Sequence, residues 1–369
     1  MGDTSRAGSL PAKAVLLVVL AVVLVPASAR GQAGVSRSTS PAPPVRKAAA
    51  ARPWTPPQTP DGQPDLQGVW LISTATPLER PKALEGRQFL TDEEVAKLKK
   101  RADEIFGNFD SDFGAGDGVF IAALSNSQQS YRNPAGTRST ENSVGMIERD
   151  FDNRTSLVTE PADGRIPSLT PAAQQRQAAA RAANQRPPAG PEDMANSYRC
   201  ITTGVPKLGG LYGAGHFSYY QIFQTRSYVA IATETIHDAR IIPLDGRAHL
   251  PAGMRQWNGD SRARWEGHTL VVDTTNFSAK SNFMGSSDNL HLVERFTRVA
   301  PDRIHYELTI DDPTTWTRPW TAMMPMKRTS EQIYEFACHE GNVVIMPAML
   351  TGARLDEKAA EGAVRKGVR

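Results

Sequence analysis

The sequence has little of several features that commonly identify a function. Its 369 residues contain only two cysteines and seven histidines, and the formal net charge is just +3. Basic residues alternate with acidic ones instead of forming a stripe, and no aromatic and basic nucleic-acid motif occurs, so nucleic acid is not an expected partner. The HExxH, GxSxG, Walker and paired CxxC motifs are all missing, and the histidines are scattered. We therefore expect no metal site and no cofactor.

Long apolar runs are also scarce, and the one that stands out is at the N-terminus. Arg6 and Lys13 precede the apolar residues 14–25, and small residues follow at 27–29. This pattern predicts a signal peptide over residues 1–29, with a second plausible cleavage site after Ala33. The run is short for a membrane span, so we expect a periplasmic or secreted protein with no stable membrane insertion after cleavage. A retained membrane anchor is the alternative.

Composition changes along the chain indicate one folded domain. Residues 34–60 are rich in Ser, Ala, Pro and Arg and predict a disordered linker, because they hold too little apolar surface to offset the entropy of ordering. Residues 61–355 predict a single β-rich domain. Residues 356–369 predict a charged tail that is frayed or weakly helical.

Two segments within this domain have the start signals of helices. Thr91 and Glu94 form a capping box before an amphipathic stretch, which predicts a helix near 91–106. Pro171 begins an Ala-rich and Gln-rich stretch near 171–184, since proline is favoured in the first helical turn. We expect both to be small helical insertions.

The rest of the domain shows the period of β-strands. Alternating apolar and polar residues over 228–235 and 304–310 put every second side chain on one face. Short turns separate successive strands, so we predict a mainly β fold: an antiparallel barrel or a curled meander with small helical insertions. The pattern continues over 333–339, where we expect a further strand that buries Cys338.

One motif resembles a known family. Gly68-Val69-Trp70 resembles the start of lipocalin-like (calycin-type) β-barrel proteins, in which a glycine and a tryptophan begin the first strand and the indole closes the base of the barrel. A buried tryptophan at an ordinary strand start is the alternative. The chain is also similar to a group of exported bacterial proteins of unknown function that share TPDGQPDLQGVW, IHDARIIPLDGR, RWEGHTLVV and DPTTWTRPW. That similarity implies no activity.

The two cysteines allow two interpretations. In an exported protein, Cys200 and Cys338 can form a disulfide. His339 and Glu340 follow Cys338, so a nucleophilic cysteine is the alternative. The sequence gives no distance between the two sulfur atoms and leaves both interpretations open.

Ionisable side chains are concentrated in the stretch from Glu234 to Thr275, which predicts two hairpin-like segments. Carboxylates and an imidazole can transfer protons, and guanidinium groups can hold an anion. The alternative is a strand end at which these charges only neutralise one another. The candidate catalytic residues are Glu234, His237 and Asp238, and the candidate ligand-binding residues are Arg240, Asp245, Arg247, Trp257 and Trp265.

These observations support more than one function. The first hypothesis is an exported protein that binds a small molecule, with the polar cluster at the rim of a pocket. The walls would be Trp257, Trp265, Trp316, Trp320, Met323, Met324 and Met326, although ordinary core packing also explains many of them. The second is a cofactor-independent hydrolase or lyase that uses Glu234, His237, Asp238 and Arg240. A structural role is the third, and we prefer binding.

Overall fold

The computed structural model of the protein describes residues 54–106, 117–125, 150–202, 205–206, 219–281 and 283–367. These residues belong to one compact unit, Pro53–Arg369. The predicted signal peptide and most of the predicted linker lie outside the described residues. No helix in the described part of the chain is both long and apolar enough to cross a membrane.

In the described part of the chain, ten strands form one antiparallel sheet. They are β1 Gly68–Leu71, β2 Val158–Glu160, β3 Tyr219–Gln224, β4 Tyr228–Thr233, β5 Ala239–Pro243, β6 Asp260–Glu266, β7 Thr269–Thr275, β8 His291–Ala300, β9 Arg303–Asp311 and β10 Trp320–Thr329. The main path through the sheet is β5-β4-β3-β1-β10-β9-β8-β7-β6, and β2 pairs with β10 beside this path. The prediction of a mainly β, antiparallel fold is confirmed.

The sheet is curled but not closed into a barrel. Strands β5 and β6 are the two edges of the main path, and no ladder joins them. They nevertheless approach one another closely, because the sheet bends round until its edges face each other. Of the two predicted forms, barrel and curled meander, the fold is therefore the curled meander. We call the gap between β5 and β6 the seam.

Alternation along the strands builds the core inside this curl. On β9, Ile304, Tyr306, Leu308 and Ile310 are buried, whereas the residues between them are more exposed. The strand β10 alternates in the same way. The period of two seen in the sequence is therefore the period of burial.

Trp70 closes one part of this core. Its side chain is fully buried, and the indole Nε1 donates a hydrogen bond to the carbonyl of Leu66 at 2.8 Å. The guanidinium carbons of Arg298 and Arg328 lie 5.5 and 5.8 Å from the ring centre. Gly68 has φ +128°, and a Cβ at this position would lie 3.3 Å from Arg328. The glycine thus leaves room for the arginine that packs on the tryptophan.

Among the described residues, four α-helices lie outside the sheet: α1 Asp92–Phe106, α2 Asp117–Ser125, α3 Pro171–Asn184 and α4 Cys338–Gly367. The capping box before α1 is present, because the backbone N–H of Thr91 donates to Glu94 at 2.9 Å and that of Glu94 donates to Thr91 at 3.3 Å. Helices α1 and α3 lie where the sequence predicts them. Helix α2 has no clear start signal in the sequence, and it packs with α1 in a small separate core.

The C-terminal segment differs from its prediction. Residues 333–337 form no strand, and α4 begins at Cys338 and runs through the predicted tail to Gly367. The alternation over 333–339 finds no partner because β10, the preceding strand, already pairs with β1 and β9. Cys338 forms a disulfide with Cys200, with 5.8 Å between their Cα atoms. The disulfide is confirmed, and it removes the alternative of a nucleophilic cysteine.

Candidate functional site

A cleft opens at the seam of the curled sheet, between β5 and the loop that leads into β6. It encloses about 570 Å³. We call it the seam cleft. Most of its lining is polar or charged. The lining residues are Ile201, Asp238, Ala239, Arg240, Ile241, Arg255, Gln256, Trp257, Asn258, Gly259, Asp260, Ser261 and Arg262.

A second, much smaller space lies behind the seam cleft. This inner cavity has a volume of about 20 Å³, which holds about one water molecule. Asp238, Arg240 and Asn258 line both spaces and form the partition between them. The remaining lining residues of the inner cavity are Val205, Pro206, Tyr220, Ile231, Thr233, Glu294 and Tyr306.

Arg240 forms an ion pair at this partition. Its guanidinium donates two hydrogen bonds, of 2.6 and 2.9 Å, to the fully buried carboxylate of Glu294. The hydroxyl of Tyr306 donates a third, of 2.6 Å, to the same carboxylate. Burial lowers the pKa of Arg240, the Glu294 carboxylate raises it, and the net direction is upward. Burial raises the pKa of both Tyr306 and Tyr220, and the negative charge of Glu294 raises it further. Both phenols therefore stay neutral.

Sequence reasoning found Arg240 but missed Glu294. A signal was present, because Leu292, Glu294 and Phe296 alternate on β8 and both apolar neighbours are buried. A charged residue on the inward face of a strand needs a partner, since an unpaired buried charge is costly. The sequence did not show which residue that partner is, because Arg240 lies 54 positions earlier.

Asp238 faces the seam cleft with neutral partners. Its Oδ2 accepts hydrogen bonds from the hydroxyl of Thr202 at 2.9 Å and from the amide of Asn258 at 3.0 Å. A short 3₁₀ turn, Thr235–His237, interrupts the chain between β4 and β5, and Ile236 within it has φ +58°. The turn separates Asp238 from Glu234, which an unbroken strand would place on the same face.

Glu234 lies away from the seam cleft. Its side chain is buried, and its Oε1 accepts a hydrogen bond from the backbone N–H of Tyr334 at 3.3 Å. Its Oε2 is buried and has no hydrogen-bond partner among the described residues. Burial raises the pKa of Glu234. Glu234 and Asp238 therefore have separate partners, and the side chain of His237 lies outside the described part of the structure.

Asp245 and Arg247 lie in the exposed turn that follows β5 and line neither space. The Nε of Arg247 donates to Asp245 at 2.7 Å, and the same guanidinium also contacts Tyr228. The hydrogen bonds that Arg247 donates to Asp245 lower the pKa of Asp245 to about 2. Asp245 and Arg247 therefore fit the alternative interpretation, in which the charged groups only neutralise one another.

The two candidate tryptophans have different positions. Trp257 is half-buried and lines the seam cleft. Trp265 on β6 is half-buried against the core, and its buried Nε1 has no hydrogen-bond partner among the described residues. Only Trp257 is positioned to contact a molecule in the cleft.

Four of the other candidate wall residues fill the interior of the curl, whereas Met323 is half-buried and lies on the opposite face of β10. Trp316 and Trp320 are buried and meet edge to face with ring centres 5.8 Å apart. Met324 and Met326 are fully buried beside them in the same core. These side chains belong to the hydrophobic core and do not form the walls of a pocket. This is the alternative that the sequence also allowed.

A chain of acidic and histidine side chains borders the cleft wall formed by Asp260. The distances are 3.0 Å from Asp260 Oδ2 to His249 Nδ1, 2.9 Å from His249 Nε2 to Asp273 Oδ1, and 2.9 Å from Asp273 Oδ2 to His291 Nε2. The hydrogen bond with Asp273 raises the pKa of His291, and the same bond lowers that of Asp273. These groups bond to each other, and no cluster that could hold a metal ion occurs among the described residues.

Comparison with known proteins gives little further information. No protein-family model matches the chain, and no curated protein matches it. Among solved structures, the chain is similar to two mutants of the fluorescent protein UnaG. Each is 13% identical, with a TM-score of 0.22, over 37% of this chain and 87% of that one. A likeness at this TM-score carries no argument about fold or function.

Proposed function

We propose that the protein is an exported binding protein and that the seam cleft holds a small polar molecule. The seam cleft itself is the observation that carries this proposal. Its volume of about 570 Å³ is within the range of small-molecule sites, about 300 to 1,000 Å³. It also combines hydrogen-bonding groups with one aromatic side chain, Trp257.

The distribution of space favours a polar ligand over an apolar one. The interior of the curl is packed with tryptophan and methionine side chains, and the inner cavity has room for only about one water molecule. An apolar ligand would need a dry apolar pocket of its own size. The seam cleft instead offers guanidinium, carboxylate, amide and hydroxyl groups.

Two features support export to the periplasm or the exterior. The N-terminal sequence has the charged start, apolar run and small residues of a signal peptide. The disulfide between Cys200 and Cys338 is the type of bond that persists in oxidising compartments.

Binding is favoured over turnover because the candidate catalytic groups have separate partners. Glu234 bonds to the backbone of Tyr334, whereas Asp238 bonds to Thr202 and Asn258. A hydrolase or lyase would need two such groups to converge on one accessible pocket. Of Glu234 and Asp238, only Asp238 lines the cleft.

A steric block tests the site. Ala239 lines the cleft from the exposed edge of β5, so the indole of Ala239→Trp would occupy the cleft without entering the core. The control is Ala348→Trp, at an exposed position on α4. Thermal-shift screening with a library of polar metabolites should identify a ligand of the wild type and of the control. Ala239→Trp should lose binding while its circular dichroism spectrum stays unchanged. Retention of binding in Ala239→Trp, or the lack of any ligand, would contradict the proposal.

A further inference from the structure

We infer that the molecule held in the seam cleft carries a positively charged nitrogen, with Asp238 as its counter-ion and Trp257 as its aromatic wall. The inference rests on the proposed function, because it assigns a ligand class to the same cleft. It follows from how the charged groups of the cleft are paired.

Every arginine that lines the seam cleft already forms an ion pair. The pairs are Arg240 with Glu294 at 2.6 Å, Arg262 with Asp260 at 2.6 Å, and Arg255 with Asp288 at 3.4 Å. An anionic ligand would have to compete with these carboxylates. At Arg240 the competition would leave Glu294 fully buried and without its cation, which is strongly unfavourable. The arginines therefore do not make the cleft a receptor for anions.

Asp238 is the exception among the charged groups of the cleft. Thr202 and Asn258 are neutral donors, and within the described residues Asp238 forms no ion pair with lysine or arginine. The two hydrogen bonds fix the orientation of the carboxylate, and among the described residues no cationic side chain compensates its negative charge. A cationic group in the cleft would supply the missing charge, and the nearby walls would shield the interaction from solvent.

The adjoining loop brings an aromatic side chain into the same cleft. Asn258, which holds Asp238, directly follows Trp257, and both line the cleft. The carbonyl of Trp257 also accepts a hydrogen bond from the hydroxyl of Ser281. The electron-rich face of an indole attracts ammonium groups, so Trp257 and Asp238 favour the same kind of ligand.

Glycine 259 fixes the path of this loop. Gly259 has φ +70°, and a Cβ there would lie 2.6 Å from the side chain of Thr274 and 2.8 Å from the carbonyl of Thr275. Only glycine permits such a close approach to β7. The loop is therefore held against the sheet, with Asn258 bonded to Asp238 and Trp257 next to Asn258 in the lining of the cleft.

Three probes that share one ring but differ in charge test the inference. Benzylamine is cationic, benzyl alcohol is neutral and benzoate is anionic, and their binding to the purified protein can be measured by isothermal titration calorimetry. We expect benzylamine to bind about tenfold more tightly than benzyl alcohol, as for one accessible ion pair, and benzoate to bind most weakly. The near-isosteric variant Asp238→Asn should bind benzylamine only as well as benzyl alcohol. Trp257→Leu should weaken the binding of benzylamine more than that of benzoate.

A matched control and the steric block separate the possible outcomes. Asp302→Asn removes one exposed carboxylate from the turn between β8 and β9, and it should retain the preference for benzylamine. If benzyl alcohol or benzoate binds as tightly as benzylamine, and Ala239→Trp still abolishes that binding, the ligand class is wrong but the cleft remains a binding site. If none of the probes binds, the inference is contradicted, and the metabolite screen still tests the proposed function. If the probes bind and Ala239→Trp binds them all as the wild type does, both the inference and the proposed function are contradicted.

Discussion

Arg240 and Glu294 join two distant strands across the interior of the curled sheet. Arg240 is on the edge strand β5 and Glu294 is on β8, near the opposite edge of the sheet, and two hydrogen bonds of 2.6 and 2.9 Å connect them. This pair spans the seam where no backbone ladder exists. It therefore contributes to the curled form as well as to the partition of the cleft.

Removing one member of the pair should lower the free energy of unfolding more than replacing both members with apolar residues. Glu294→Leu leaves the guanidinium of Arg240 buried without a counter-charge, and we expect a loss of about 3 to 5 kcal/mol in the free energy of unfolding. The double variant Arg240→Met with Glu294→Leu has neither charge and should lose much less. Urea denaturation of the single and double variants measures both values. Additive losses in the double variant would show that mutual charge compensation is not what stabilises the pair.

Trp70 should be a major contributor to stability. Trp70→Ala removes a fully buried indole, its hydrogen bond to Leu66 and its contacts with two arginines, and we expect a loss of about 3 to 5 kcal/mol. Trp54→Ala is the control, because that indole is exposed and should cost about 1 kcal/mol or less. Similar losses in the two variants, measured by chemical denaturation, would contradict a special role for Trp70.

The disulfide should stabilise the folded chain through its long loop. Cys200 and Cys338 are separated by 138 residues, and the loop-entropy relation gives about 5 kcal/mol for a loop of this size. The variant with both cysteines changed to serine should unfold at a lower urea concentration, while its far-ultraviolet spectrum in the absence of urea stays the same. An unchanged urea midpoint would mean that the disulfide fastens only a local segment.

The pair Asp273 and His291 predicts a specific dependence of stability on pH. Since the pKa of His291 is raised, its contribution is complete below its ordinary value of 6.5 and is lost as pH rises through the raised value. Since the pKa of Asp273 is lowered, its contribution is complete above 3.8 and is lost as pH falls through the lowered value. The pair should therefore stabilise the protein most between these two values, by about 1 kcal/mol or less because both side chains are partly exposed.

A histidine substitution isolates this contribution. The free energy of unfolding of His291→Gln, measured from pH 4 to pH 9, should decline less than that of the wild type as the pH rises above 6.5. His268→Gln, at an exposed position between β6 and β7, should follow the wild-type curve. If His291→Gln also follows the wild-type curve, the pair does not influence stability in this range.

The sequence predicted most of the local structure correctly. The alternation that includes Ile304, Tyr306 and Leu308 marks a buried face, because successive side chains on a strand point to opposite sides. The capping box at Thr91 marks the start of α1, because its groups satisfy the first free N–H groups of the helix. The strand expected over residues 333–339 is absent, because pairing requires a free neighbouring strand, and local alternation does not reveal whether one is available.

The candidate site is predicted from the sequence only in part. Asp238, Arg240 and Trp257 were recognised as candidates and all line the cleft. Their grouping with Glu234 rested on nearness in sequence, and the left-handed conformation of Ile236, rare for a β-branched residue, breaks that grouping. Glu294, which pairs with Arg240, could not be assigned from sequence because its partner is distant along the chain.

The sequence by itself determined which faces are buried, where two of the helices begin and which two cysteines could bond, because each depends on residue type and short-range spacing. Only the tertiary structure decided that the sheet stops short of closure and that a cleft opens at the seam. Curling depends on the combined twist and stagger of all the strands, and the side chains that meet at the seam come from segments far apart in sequence. The pairing of charges, from which the ligand class is inferred, follows from those long-range contacts.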